Sequence, residues 1–396
     1  MPAQDAIAFR VPRTVWMLGL VSLLMDISSE MITTLLPLYL VSGLGASALA
    51  IGFIEGFSVF IATATKLFSG YFVDWSHRAK PLAVLGYGLG ALSRLIFPLA
   101  ATIDQIVLAK AMDRVGKGIR GTPRDAIIAA VSPAEIRGAA FGLRKSLDTV
   151  GGFLGPLIAV ALMLILAGDI AAVFWWAAVP AALAIGVLVL FVREPAQGLD
   201  AKSEAFSLRR AISLNRGVWT VIGLAGLIML ARFSEAFVLL KSLDAGFSPA
   251  YVPLAMVVMH AVYGLAAYPV GKIADRVGAA GLLATSLAFL GLAHLLLSVA
   301  DNVPLFLAGT IFWGLHMGFS QGLLGALIAV KTSACLKGSA FGTFNMVTGV
   351  VVLVGNLAAG WLWTTGGSQL PFQIGAGIAC AAMLVTLALR KSLVLR

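Results

Sequence analysis

Apolar residues come in long runs of about twenty, broken by short clusters of Gly, Pro, Ser, Asn and Asp, and each run is as long as a helix that crosses a bilayer. Barrel strands would need only about half that length, so the pattern predicts helices. The runs lie at 14–42, 48–73, 81–101, 104–130, 138–167 and 170–192. After a polar linker they resume at 217–243, 249–274, 279–299, 303–332, 338–365 and 369–390. The expectation is an all-α membrane protein with twelve transmembrane helices.

Composition agrees: 60% of the 396 residues are hydrophobic and 12% charged, against roughly 45–50% and 25% in soluble domains. A net charge of +10 would suggest nucleic acid in a soluble protein, but here the cations follow the connections between runs, so no nucleic-acid partner is expected. Cys335 and Cys380 have neither metal-type nor redox-type spacing, and no cofactor is expected. Arg10 and Arg13 lead into an apolar stretch too long for a signal-peptide core, so the first helix is expected to stay.

Lys and Arg fall in alternate connections: Arg78 and Lys80, then Arg137, the linker with Arg193 to Arg216, Arg276, Lys337 and the tail from Arg390. The other connections hold Asp104, Asp169, Asp244 and Asp301 without a cation. The positive-inside rule then puts both termini and the central linker on the cytoplasmic side. The halves repeat each other. Gly70 to Asp74 recurs as Gly271 to Asp275, 201 residues on, and Arg137-Gly138-Ala139-Ala140-Phe141-Gly142 recurs 200 residues on as Lys337-Gly338-Ser339-Ala340-Phe341-Gly342. Ala126 to Ala129 matches Ala326 to Ala329, and Ser29-Glu30 resembles Ser234-Glu235. The expected organisation is a six-helix bundle over 1–192, a cytoplasmic linker over 193–216 and a second bundle over 217–396, related as parallel repeats.

Charge inside the runs is concentrated in the fourth. At helical spacing Lys110, Asp113, Lys117, Arg120 and Arg124 share a face, with Arg114, Gly118, Gly121 and Asp125 beside it. Each such charge costs about 2.5 to 3.5 kcal/mol on insertion scales, so the stripe must face water, partner charges or a solute. The tenth run has Trp313, Gly314, Gln321 and Gly325 at the corresponding positions, which confines the charge to the first half.

The chain resembles the major facilitator superfamily over essentially its whole length. The loop motif of that family, Gly, three residues, Asp and then basic residues, reads Gly70, Asp74, Arg78 and Lys80, with a shorter copy at Gly271, Asp275, Arg276 and Gly278. The first copy departs from the family by having Trp75, Ser76 and His77 where a basic residue and a Gly are common. Arg114 and Gly118 resemble the family's fourth-helix motif, with Lys117 where Gln is common. Gly151, Gly155 and Pro156 resemble the fifth-helix element of proton antiporters, although Gly at this spacing also serves close helix packing.

The resemblance implies two bundles rocking around a central cavity lined by the first helix. Asp26 and Glu30 lie one turn apart near the middle of that helix. Burial favours the protonated carboxyl and a nearby Arg the ionised one, so such a pair can load and release protons. The alternative is static ion pairing with Arg94, Arg114 or Arg232. Glu235, with Arg232 three residues earlier, is placed across the cavity, and Arg94, Asp113, Arg114, Glu55 and Asp148 complete the expected substrate and proton site. Arg120, Arg124 and Asp125 join the two loop motifs in the expected cytoplasmic gate, where Asp74 and Asp275 would face helix amino termini. No metal site is expected, with His260 and His316, near Met256, Met259 and Met317, kept as minority candidates; His294 reads as a packing residue.

No nucleotide loop and no hydrolase signature occurs, so neither ATP drive nor an enzyme is expected. Asp26 to Met31, the Lys117 to Asp125 block and Ala140-Phe141-Gly142 resemble a group of bacterial permeases of the major facilitator superfamily, which implies the bacterial inner membrane. The expected task is proton-coupled export of a small organic compound by a monomer. The alternatives are transport of a metal ion, metal complex or small anion, or a transport-inactive receptor or scaffold.

Overall fold

The computed structural model describes residues 11–76, 78–193, 208–320, 322–333 and 336–393, with side chains described except at 70–76, 134, 208, 209 and 274–277. Twelve spans appear where the apolar runs predict them. They are α1 (Arg13–Gly43), α2 (Ala48–Ser76), α3 (Ala79–Ile96), α4 (Ile103–Val131), α5 (Arg137–Ile165) and α6 (Ile170–Phe191). The second half holds α7 (Arg216–Asp244), α8 (Leu254–Val277), α9 (Ala279–Ser298), α10 (Val303–Lys331), α11 (Lys337–Gly366) and α12 (Leu370–Ala388). Among the described residues, eleven are apolar enough to cross a membrane by length and composition. The exception is α4, whose charged stripe dilutes its hydropathy. Among the described residues there is no strand.

Polar connection residues start the helices by accepting from free backbone N–H groups. Asp169 Oδ1 accepts from Ala172 N at 3.0 Å, Asn215 Oδ1 from Val218 N at 2.9 Å and Asn302 Oδ1 from Leu305 N at 3.0 Å.

Packing repeats with the sequence. In the first half α1 packs on α5 and α6, and α4 on α2 and α3. In the second, α7 packs on α11 and α12, and α10 on α8 and α9. Adding six to each number maps one set onto the other, as a pseudo-twofold axis along the membrane normal requires. Between the halves, α2 with α11 and α5 with α8 exchange under the same operation, and α1, at Leu36–Leu38, meets α7, a pair that maps onto itself. Large apolar side chains such as Leu164, Leu190, Leu265 and Leu384 stand exposed on the outside of this arrangement, the surface that lipid would cover.

The α2–α11 contact is built on small residues. A Cβ on Gly360 would lie 2.5 Å from the Ala48 carbonyl oxygen, and one on Gly52 would overlap the Asn356 carbonyl. Only hydrogen at these positions lets the backbones touch. The contact seals the side away from the chain ends. On the side where α1 begins and α12 ends, the halves separate around a chamber.

Three spans are interrupted, which the apolar runs do not announce. The regular part of α1 ends at Thr33, before Pro37, and the span finishes in a wider turn over Tyr39–Gly43. α10 restarts at Gly322, which takes a left-handed φ of 86°. α7 stops at Ala231 and restarts at Glu235.

Candidate functional site

Two adjacent chambers lie between the halves. The wider, about 730 Å³, opens on the side of the chain ends and is lined mainly by α1, α2, α4 and α5, with Asn345 from α11. The deeper, about 330 Å³, is lined by Glu30, Glu55, Arg114, Arg232, Glu235 and His260 among others, and so draws on both halves. Val59 and Arg114 border both chambers.

Close packing sets the positions of the α1 carboxylates. A Cβ on Gly151 would lie 2.7 Å from the Leu23 carbonyl oxygen and 3.0 Å from Asp26 Cβ; one on Gly155 would lie 2.6 Å from Glu30 Cβ. The Gly151–Gly155 face is therefore the seat on which the acidic face of α1 rests, with Pro156 buried beside it. One residue round the helix, a Cβ on Gly152 would lie 3.8 Å from the His260 ring of α8. Glu30 and His260 thus stand on neighbouring faces of α5, where α1 and α8 meet it. Glu30 Oε2 and His260 Nδ1 are both buried without a hydrogen-bond partner.

Arg94 is buried, donating from Nη2 to Asp113 Oδ1 at 2.8 Å and to Ser29 Oγ at 2.7 Å, and from Nε to Ser28 Oγ at 3.0 Å. Ser28 Oγ donates onward to the Ala177 carbonyl at 2.7 Å, so one network ties α3, α1, α4 and α6. Arg94 and Asp113 line neither chamber. That corrects their expected place at the solute site: helix rotation turns this pair into the bundle, where each neutralises the other. Arg94 thus serves Asp113 rather than Asp26 or Glu30. Neither of those two carboxylates has an ion pair among the described residues.

In the deeper chamber Glu55 accepts from Lys110 Nζ through Oε1 and from Ser234 Oγ, at 3.3 Å, through Oε2. Arg232 Nη2 donates to Glu235 Oε1 at 3.2 Å. The break in α7 frees backbone groups from the helix ladder, and side chains of the second half meet two of them. The Ala231 carbonyl accepts from His294 Nε2 at 3.0 Å, and Ser234 N donates to Asn356 Oδ1 at 2.8 Å. His294 is held for that task in an aromatic cluster with Phe233, Trp313 and Phe372. The restarted helix points its amino terminus, with Glu235 in the first turn, at the chamber, where its dipole favours negative charge.

In the wider chamber Arg120 lies over the Tyr87 ring, 5.0 Å from its centre, and keeps Nη1 without an acceptor. Arg124 donates to Asp125 at 3.1 Å and to Ser22 Oγ at 3.1 Å, while Arg144 donates to Asp148 at 2.7 Å. Arg120, Arg124 and Asp125, expected at a cytoplasmic gate, form the wall of this chamber. Lys80 donates to the Val189 carbonyl at 2.9 Å, tying α3 to α6, and Arg78 precedes α3 as its cap position. Gly70 and Gly271 lie toward the ends of α2 and α8, and the side chains of Asp74, Asp275 and Arg276 fall outside those described. His316 bonds Ser286 at 2.7 Å and lines neither chamber, so it does not join His260.

Lys117, Lys110, Ser234 and Asn356 belong to the site but were not singled out as binding residues by the sequence. The pair Ser234-Glu235 does carry a helix-start signal, a capping hydroxyl followed by an acid, inside an apolar run.

The Major Facilitator Superfamily profile matches residues 18–259 and 227–393. An MFS-type transporter of Methanocaldococcus jannaschii is 28% identical over 391 residues, covering 95% of this chain and 94% of that one. The Escherichia coli inner membrane transport protein YajR is 24% identical, over 96% of this chain and 84% of that one. Among solved structures, a POT family transporter in complex with 5-aminolevulinic acid superposes with a TM-score of 0.83 over 99% of each chain, at 12% identity.

Proposed function

The chain belongs to the Major Facilitator Superfamily, as a transporter rather than an enzyme, and given that membership we propose that it exports a small organic compound in exchange for protons. The observation that carries the reading is Glu30: a carboxyl group deep between the halves, with one oxygen buried and unpartnered and no cation bound to it. An ionised carboxylate in that position would cost several kcal/mol, so proton uptake and release there is coupled to which side the cavity faces. Asp26, one turn along α1 on the wider chamber, hands protons toward the open side, and His260 of the other half lines the deeper chamber with Glu30.

Alternating access follows from the pseudosymmetry. With α2 and α11 sealed on one side and the chamber open on the other, a rocking of the halves that seals α5 on α8 and parts α2 from α11 gives the opposite state. The positive-inside rule makes the open side cytoplasmic, so the solute loads from within. Both chambers come from a single chain, and a monomer suffices.

The test uses proteoliposomes containing a pH dye, challenged with solutes under an imposed pH gradient. Solute-evoked proton movement is expected in the wild type and lost in Glu30→Gln, with solute exchange at equal pH kept. Gradient-driven movement that survives Glu30→Gln intact overturns the role given to this residue.

A further inference from the structure

We infer that the solute carries a carboxylate or phosphate group, and that this group is bound in the wider chamber between Lys117, Arg120 and Arg114 of α4. The inference rests on the transport reading and extends it to the chemistry of the cargo. Six cationic side chains line that chamber, against the three carboxylates of Asp26, Asp125 and Asp148. Two of those carboxylates are already engaged, Asp125 by Arg124 and Asp148 by Arg144, whose own side chain lies outside the lining. What is left over is positive.

The surplus is neither diffuse nor at the surface alone. Lys117 lies one helical turn from both Arg114 and Arg120, and it has no ion pair among the described residues. Arg120 is buried and braced on Tyr87, yet its Nη1 has no acceptor. Arg114 Nε, 3.3 Å from Asp113 Oδ2 but not aligned for a hydrogen bond, is likewise without an acceptor. Buried guanidinium N–H groups without acceptors are costly, and a multivalent oxyanion supplies the geometry that satisfies them. Lys66 and Lys145 stand at the exposed rim, also without ion pairs among the described residues, where they draw an anion inward. Asn345 of α11 is the contribution of the second half, a neutral amide that lets a bound anion bridge the halves. The volume, about 730 Å³, fits an organic anion of metabolite size better than a bare inorganic ion.

Thermal unfolding of the purified full-length protein at constant ionic strength tests this. The probes are citrate, glutarate, inorganic phosphate and glycerol 3-phosphate, with spermidine and sucrose as cationic and neutral counterparts. At least one anion is expected to raise Tm, while spermidine and sucrose do not. Its affinity should fall about tenfold or more in Lys117→Gln, recover in Lys117→Arg, and fall only about two- to threefold in Lys66→Gln and Lys145→Gln. Stabilisation by none of the anions, stabilisation by spermidine or sucrose instead, or anion binding unchanged in both Lys117→Gln and Arg120→Gln overturns the inference. Glu30→Gln separates the two claims. If an anion binds and depends on Lys117 but still moves protons in Glu30→Gln, the proton assignment fails and the anion assignment stands.

Discussion

Asp113 and Glu30 are both acids inside the first bundle, and they differ in what surrounds them. Asp113 sits between Arg94 and Arg114 and lines no chamber; Glu30 has a free oxygen and lines one. Removing one partner of a buried pair strands the other charge, so Asp113→Ala should cost about 3 to 5 kcal/mol. Glu30→Gln loses no ion pair and should unfold within about 1 kcal/mol of the wild type. Denaturation of both variants in the same detergent checks the contrast, and equal losses would contradict it. The sequence displayed every one of these charges but not their matching. Arg94 was open to pairing with Asp26 or Glu30, and its choice of Asp113 depends on how α3 and α4 are rotated, which spacing along one helix does not encode.

The interruption of α7 concerns a whole helix. At the break the Ala231 carbonyl and the Ser234 N–H are met by His294 from α9 and Asn356 from α11, so the break depends on its neighbours as well as on its own Ser234 cap. Asn356→Ala leaves the Ser234 N–H without its partner and should destabilise by about 1 to 3 kcal/mol. A larger proportional loss in transport than in stability is expected, since Ser234 also bonds Glu55 across the halves. A flux assay normalised to folded protein reads that ratio. At α5, Gly155→Val puts carbon where Glu30 Cβ stands, and it should abolish transport while the protein still inserts and elutes as a single species. Helix existence and order were legible because length and apolarity alone settle them in a membrane. The interruptions were not, since a few residues of irregular backbone barely alter the mean hydropathy, and only Pro37, Gly322 and the Ser234-Glu235 start hinted at them.

The halves meet as a duplicated sequence says they should: the offsets of 200 and 201 residues reappear as packing pairs related by six helices. What the repeat did not carry was which end is closed, because two states of one rocking molecule share a sequence. Gly52→Leu inserts a side chain against the Asn356 backbone and should part α2 from α11. With Cys335 and Cys380 changed to serine, a cysteine at Val59 is then expected to react faster with a membrane-impermeant thiol reagent from the far side. No change in that rate would mean the seam is not the closure.

The two ends of the cavity are held by unlike forces. Around Gly52 and Gly360 the closure is dry contact between uncharged backbones, to which dissolved electrolyte is nearly irrelevant, whereas the opposite mouth is ringed with mutually repelling lysines and arginines. Raising ionic strength therefore calms only the mouth and lets it draw together, while bilayer thickness and lateral pressure act on the seam. The molecule can thus be tilted toward either state by two independent external handles, one ionic and one mechanical.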